Sequence, residues 1–337
     1  MKKRRNLILL GAALIIILLI ALPISFLISG TEIIIIKNDN DYQSDIVANY
    51  QIYTPVIPDN LEFAGEKVPL DTYYVYEAVD RELLTNMYWH SNLIQMIKRT
   101  WRFFPIIEPI LAEEGVPDDF KYLALIESSF TNAVSPAGAA GFWQFMKATG
   151  QQFNLEVSGD VDERFHLEKA TYAACKYLKN LNKMFGSWTL ASAAYNMGQG
   201  ALRRQMNAQN QDNYWDLHLN SETSRYVSRI LALKLIIESP VNFGLRLRYS
   251  DLYQPIPTEK IAVDTSINSL VDFALLHNSN YRILKEFNPW LRSTSLANRS
   301  GKTYYIELPK EGYTSRAMQL SNLENQNAIY KLDTISN

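Results

Sequence analysis

Between about Val75 and Glu238 the apolar positions of this chain recur three and four residues apart, the spacing that lines one face of a helix. Pro117-Asp118-Asp119 reads as a helix start, with proline at the entry and acids in the first turn. Phe120, Leu123, Ala124 and Ile126 follow, and this unit ends near Ser129. A second helix is expected from near Gly141 to Gly150. A third, from about Leu167 to Phe185, carries Leu167, Ala170, Ala174, Tyr177, Leu178, Leu181 and Phe185 and is closed by Gly186. A fourth starts near Ser187 and ends around Tyr195-Asn196, and a fifth starts near Thr223 with Val227, Ile230, Leu231 and Leu235. The pattern predicts a compact, mainly α domain over 81–240.

The flanks read differently. Lys2, Lys3, Arg4 and Arg5 precede an apolar run from about Leu7 to Ile28. A run of about 22 residues is long enough to cross a bilayer as a helix. The basic cluster then stays in the cytoplasm. A signal anchor over 1–30 is therefore expected, giving a single-pass inner-membrane protein whose remainder lies in the periplasm. Ser25 to Gly30 offers no convincing small-x-small cleavage site. Cleavage, leaving a soluble periplasmic protein, is the alternative. Residues 31–80, with Ile33 to Ile36 and the prolines Pro55, Pro58 and Pro69, read as a stalk or wrapping segment. After the break at Ser239-Pro240 comes a linker over 241–258 with Pro255 and Pro257, then a short module over 259–310 and a polar, frayed tail over 311–337.

Composition narrows the function. Hydrophobic residues make up 47% and charged residues 20%, so most of the 337 residues should fold. The net charge is −2, with no basic run beyond the N-terminus, which excludes a nucleic-acid footprint. Cys175 is the single cysteine, so no disulfide within the chain and no multi-cysteine metal site is possible; it reads as a buried apolar residue. The histidines, His90, His166, His218 and His277, lie far apart and form no His-Glu-x-x-His pair. Neither a metal nor another cofactor is expected. An oligomeric state is not legible, and a monomer is the default. The 20 Tyr and 6 Trp suit a sugar-binding cleft and an ordinary core equally.

Glu127 is the anomaly. It follows Phe120, Leu123 and Ala124 at spacings that put it on the same apolar face. A carboxyl there loses water, its pKa rises, and it can serve as a general acid near neutral pH, the arrangement for which lysozyme is the worked example. By position alone a buried salt bridge is the competing reading. Downstream come Ser135-Pro136-Ala137-Gly138, then Gly141-Phe142-Trp143-Gln144, then Ala194-Tyr195-Asn196-Met197-Gly198, then Arg225-Tyr226-Val227. Two glycines within four residues suit a tight turn, Trp143 could offer a ring face, and Gln144 a two-way amide.

In this order the blocks are specific. The stretch from about Val116 to Leu233 resembles the catalytic domain of the lytic murein transglycosylases of the soluble-transglycosylase superfamily, which is lysozyme-like. Glu127-Ser128 resembles the catalytic Glu-Ser motif. Gly141 to Gln144 is similar to Gly-Leu-Met-Gln, with an aromatic pair in place of Leu-Met. Ala194 to Gly198 resembles Ala-Tyr-Asn-x-Gly, and Arg225-Tyr226-Val227 the late tyrosine block. Trp143, the run Leu181 to Phe185 and the Thr223-x-x-Tyr-Val block look most like the membrane-bound D type. The resemblance implies cleavage of the β-1,4 bond between N-acetylmuramic acid and N-acetylglucosamine in peptidoglycan glycan strands. The muramic 6-hydroxyl would attack its own anomeric carbon and leave a 1,6-anhydro end. An ordinary glycosidase needs two carboxylates, and the matched blocks offer only Glu127.

Further roles follow from the resemblance. Glu127 would be the catalytic acid/base. Ser135 and Gln144 would hold the muramic sugar, Tyr195, Asn196 and Trp143 would shape the cleft, and Tyr226 would orient Glu127. Plainer readings stand beside these: Ser135 as a turn opener, Asn196 as a helix cap, Tyr226 as core. Residues 259–309 resemble a diverged LysM unit of β-α-α-β order: strand Lys260–Val263, helices Leu270–Leu276 and Tyr281–Phe287, strand Tyr304–Leu308. It would bind N-acetylglucosamine-containing glycan or serve only as a packing domain. Two competing functions remain at this stage, a goose-type hydrolase of the same fold and a non-catalytic peptidoglycan-binding scaffold.

Overall fold

The computed structural model describes residues 38–41, 43–44, 52–324 and 326–330. The expected anchor over 1–30 lies outside them. Among the described residues no helix is long and apolar enough to cross a membrane.

The protein is mainly helical. Helices Tyr73–Tyr88 and His90–Glu113 come first, then Phe120–Ser128, Lys147–Gln152, Leu167–Phe185, Trp188–Met197, Gln199–Gln209, Ser221–Ser224 and Tyr226–Glu238. One cluster of buried side chains runs through all but the two shortest of them, with Leu83, Leu93, Ile97, Ile107, Leu123, Leu178 and Ile230 inaccessible to solvent. The third expected helix and its terminating Gly186, at φ +74, stand as read from the periodicity. The second does not. Gly141 (φ +77) and Gln144 (φ +47) hold left-handed dihedrals that a right-handed helix excludes. Residues 141–145 form a tight turn, and the helix is the shorter Lys147–Gln152. The Gln199–Gln209 helix buries only Leu202 and so leaves almost no apolar signature.

Residues 57–80 are not a free stalk. Ile57, Leu61, Phe63, Val68, Val75 and Val79 enter the main core. Strands Glu62–Phe63 and Glu66–Lys67 pair antiparallel, and the hairpin presses Phe63 edge-on against Phe120, with centroids 5.5 Å apart. The hairpin also delivers Glu66 to the start of the Trp188–Met197 helix. Its carboxylate accepts from the backbone N–H of Trp188, from Thr189 N at 3.0 Å, from Thr189 Oγ1 at 2.9 Å and from Ser187 Oγ at 2.9 Å. An anion on the first N–H groups of a helix satisfies orphan donors and complements the helix dipole. Glu66→Ala is expected to lower stability by about 1–2 kcal/mol. Urea unfolding checks this, and an unchanged midpoint would refute the capping role.

The module over 259–310 is built as the sequence predicts. Strand Thr258–Val263 pairs antiparallel with Tyr304–Pro309, Val263 opposite Tyr304, and helices Leu270–Leu276 and Tyr281–Phe287 fill the connection. It is docked rather than tethered. Its core of Leu270, Leu284, Trp290, Leu291 and Ile306 continues into Ala140, Val161 and Phe165 of the helical domain. Asp162 N donates to Trp290 O at 2.8 Å, and Arg292 N to Asp160 O at 2.7 Å. The expected 241–258 linker buries Phe243, Leu245, Leu247 and Leu252 against the main core. The expected frayed tail also returns: it forms the helix Arg316–Ser321, and Tyr330 N donates to Leu247 O at 2.6 Å while its ring meets Trp101 edge-on at 5.5 Å. Apolar residues sparse in sequence, such as Ile329 and Tyr330, were enough to bind it down because a groove awaited them.

Candidate active site

Glu127 is the penultimate residue of the Phe120–Ser128 helix, at the end of the stripe formed by the fully buried Phe120, Leu123 and Ala124. The chain turns away at once through Ser129 (φ 49) and Phe130 (φ 52). Phe130 stacks on Phe142 with centroids 5.4 Å apart, which ties the exit of this helix to the Gly141–Gln144 turn.

The side chain of Glu127 keeps a partial opening to solvent, yet the surrounding protein strips its carboxyl of most water. Burial is the largest influence and pushes the pKa up. A hydrogen bond donated by the Tyr226 hydroxyl to Oε1 pulls it down, Glu222 pushes it up, and Arg229 pulls it down, leaving the group at about 7. The salt-bridge reading fails on geometry. The cation facing Glu127, Arg229, is directed to another acid, Glu82, with Nε 3.7 Å from Oε2. Tyr226 and Tyr195 are both pushed well above the usual tyrosine value, by burial first and by the adjacent Glu127 carboxyl second. Both phenols therefore stay protonated and act as donors.

Tyr226 is placed by packing from the far end of the domain, 99 residues along the chain from Glu127. The Tyr195 hydroxyl donates to Trp143 O at 2.6 Å and so clamps the glutamine turn to the Trp188–Met197 helix. Gln144 Nε2 donates to Gly141 O at 2.8 Å and Ala133 O at 3.1 Å, so its N–H groups hold the turn together and its amide oxygen carries any further contact. Ser135 N donates to Ala139 O at 2.8 Å, and its Oγ accepts from Ala139 N at 3.1 Å. The hydroxyl proton is not used in that turn. Asn196 is not a helix cap in this structure. Its Nδ2 donates to Glu222 Oε1 at 2.9 Å, and its Oδ1 accepts from Thr223 Oγ1 at 2.7 Å.

Trp143 does not line the cleft. It is wholly buried, and its indole N–H donates to Thr171 Oγ1 at 2.9 Å, so its ring is a core filler under the turn rather than a sugar platform. Glu222, Arg229 and Glu82 were not singled out in the sequence. Each is an ordinary charged residue there, and only the packing brings Glu222 and Arg229 to Glu127. Glu222 also amends the expectation of a single carboxylate.

Cys175 is buried, and burial pushes its thiol up to about 12, which makes it inert. Among the described residues no group of three or more His, Cys, Asp or Glu is placed to hold a metal ion. A cavity of about 500 Å³ lies at the seam between the helical domain and the C-terminal module, lined in part by Phe103, Phe142, Lys260 and Trp290; Glu127 is not part of it.

Comparison with known proteins agrees with this geometry. The profile of the Transglycosylase SLT domain matches residues 104–218, and that of the soluble lytic transglycosylase C-terminal LysM-like domain matches 259–312. The membrane-bound lytic murein transglycosylase D of Escherichia coli (strain K12) is 30% identical over 205 residues, 59% of this chain and 44% of that protein. The protein of the same name from Escherichia coli O6:H1 matches to the same extent. The match thus spans less than half the length of these curated relatives. Glu127 and the glutamine turn lie within the first matched stretch and the docked β-α-α-β module within the second: the chain carries a transglycosylase SLT domain followed by a LysM-like domain of the soluble lytic transglycosylase type.

Proposed function

We propose that this protein is a lytic transglycosylase that cleaves the β-1,4 bond between N-acetylmuramic acid and N-acetylglucosamine in peptidoglycan. The observation that carries the reading is Glu127, a carboxyl lifted to about 7 by burial and held by the Tyr226 hydroxyl. Protonated, it gives its proton to the glycosidic oxygen as the bond to the anomeric carbon breaks. The muramic 2-acetamido group shares the positive charge that develops on the ring. The Glu127 carboxylate then takes the proton of the muramic 6-hydroxyl as that oxygen bonds to the anomeric carbon. The result is a 1,6-anhydro end, with Glu127 returned to its protonated form. Gln144, through its amide oxygen, and Ser135, through its free O–H, would contact the muramic sugar; Tyr195 and Asn196 shape the wall beside Glu127.

Because the acid form starts the reaction, activity is expected to be full below pH 7 and to fall as pH rises through about 7. The Asn196–Glu222 pair favours a second reading, a hydrolase in which Glu222 positions water. Mass spectrometry of muropeptides from purified sacculi separates the two, since anhydro ends are one water lighter than reducing ends. Reducing ends alone would overturn the transglycosylase reading.

The N-terminal apolar segment anchors the protein in the inner membrane with the enzyme in the periplasm; fractionation of cells with and without residues 1–30 tests this, and an unchanged distribution contradicts it. The LysM-like module adds affinity for the glycan. Retention of the full-length Glu127→Gln protein by sacculi, undiminished by substitutions on the module's exposed face, would contradict that role.

A further inference from the structure

The helix Tyr73–Tyr88 lies before the matched SLT stretch, 104–218, and buries Val75, Val79, Leu83, Asn86 and Met87 along one face. Glu82 sits on that same face, with 1% of its side chain exposed. A buried carboxylate is costly unless it is well paired. Glu82 meets Arg225 twice, Nε to Oε1 at 2.6 Å and Nη2 to Oε2 at 3.3 Å. Arg229 Nε lies 3.7 Å from Oε2, and Arg81 Nε reaches Oε1 at 3.4 Å from the same helix. Arg225 and Arg229 flank Tyr226, the residue whose hydroxyl donates to Glu127. Arg225 is the residue at which the Tyr226–Glu238 helix begins, and Arg229 N closes its first turn on Arg225 O at 2.9 Å.

We propose that Glu82 is a positioning residue of the active site: its buried carboxylate holds Arg225 and Arg229, one turn apart on the helix that carries Tyr226, fixing the phenol on Glu127 and drawing the Arg229 charge away from the Glu127 carboxylate. The site is then incomplete without a helix that precedes the SLT stretch. This rests on the reading of Glu127 as the acid/base.

The ionisable groups that face Glu127 are Tyr226 and Arg229 on one helix, Glu222 on Ser221–Ser224 and Tyr195 on Trp188–Met197. Only Arg229 is a cation, so its distance and pairing set the sign of the effect. With Glu82 neutralised, Arg229 loses its anionic partner and acts more strongly on Glu127, favouring the charged carboxylate.

The test is a ¹³C titration of the Glu127 carboxyl in the full-length protein, its signal assigned by loss in Glu127→Gln, read beside kcat and KM across pH. In Glu82→Gln the Glu127 titration should fall by about one unit, and the alkaline limb of activity with it. At neutral pH kcat should drop by about 10- to 100-fold with KM little changed. Arg229→Gln should move the titration the opposite way, to higher pH, and Glu82→Asp should restore most of the parent value. A Glu82→Gln protein whose Glu127 titrates as in the parent, even if it melts earlier, would reduce Glu82 to a packing residue and overturn the proposal. Shifts of the same sign in Glu82→Gln and Arg229→Gln would also overturn it. Should Glu82→Gln fail to fold, Arg229→Gln decides alone, since its side chain is 32% exposed, and the absence of an upward shift is then fatal. The titration needs no substrate. A parent that releases no cleaved glycan would therefore refute the proposed function and leave this inference to be judged on the carboxyl signal.

Discussion

Glu127→Gln is expected to lower the release of 1,6-anhydro muropeptides from sacculi by about three orders of magnitude while leaving the fold intact. Glutamine keeps the size of the side chain and can still accept from the Tyr226 hydroxyl, so the surroundings need not rearrange. It cannot donate and retrieve a proton. The substitution should also stabilise the protein above pH 7. There the parent must hold a desolvated carboxylate, because its folded pKa of about 7 exceeds the ordinary glutamate value. The sign follows from linkage: the unfolded chain gives up this proton at lower pH than the native state, so the parent loses stability as pH rises through about 7. The amide has no charge to bury. Thermal unfolding at pH 8 should show the variant melting above the parent, and the difference should shrink at pH 5. Retained muropeptide release would remove Glu127 from the chemistry, and a lower melting temperature at pH 8 would contradict its desolvation.

Gly141→Ala carries the second large effect, through the backbone. Gly141 sits at φ +77, where an L-residue costs about 1–2 kcal/mol. A Cβ built there would lie 1.9 Å from Arg164 O and 2.7 Å from Arg164 C. Those are main-chain atoms, and Arg164 is held firmly. Its guanidinium donates to Gly138 O at 2.9 Å and Phe145 O at 3.0 Å, and pairs with Asp162 at 2.7 Å. The neighbour cannot step aside, so the turn itself must shift. A total loss of about 2–4 kcal/mol is expected. Gln144 should move with the turn, since both its backbone N–H and its amide donate to Gly141 O. Denaturant unfolding measures the first effect, and the rate of muropeptide release at a temperature where the variant is folded measures the second. A variant as stable and as active as the parent would show that the turn tolerates another geometry.

The helical class, the Leu167–Phe185 helix with its Gly186 cap and all four elements of the C-terminal module were legible from the chain alone. These are local decisions: a repeat of three and four residues, an alternating strand, a glycine past the last turn. The motif order also picked out Glu127, Tyr226, Tyr195 and Gln144, whose side chains or turns converge in the structure. The Gly141–Gly150 segment was misread because its two left-handed residues are decided by contacts with Arg164 and Ala133, which no local pattern reports. Trp143 was misread for a related reason: whether an aromatic ring faces a cleft or a core depends on which side of the turn the rest of the domain lies.

By itself, then, the sequence determined the helical class, most of the elements in their order, and the candidate for the acid/base, Glu127. The tertiary structure decided everything that depends on separation in the chain. Glu127 meets Tyr226 across 99 residues, and Glu82 meets Arg225 across 143. The stretch 57–80, the 241–258 connection and the return of Ile329 and Tyr330 became parts of the core because apolar grooves were there to receive them. A carboxyl acquires its working pKa from the water it loses and the charges it faces, and both are properties of the packed chain rather than of any segment within it.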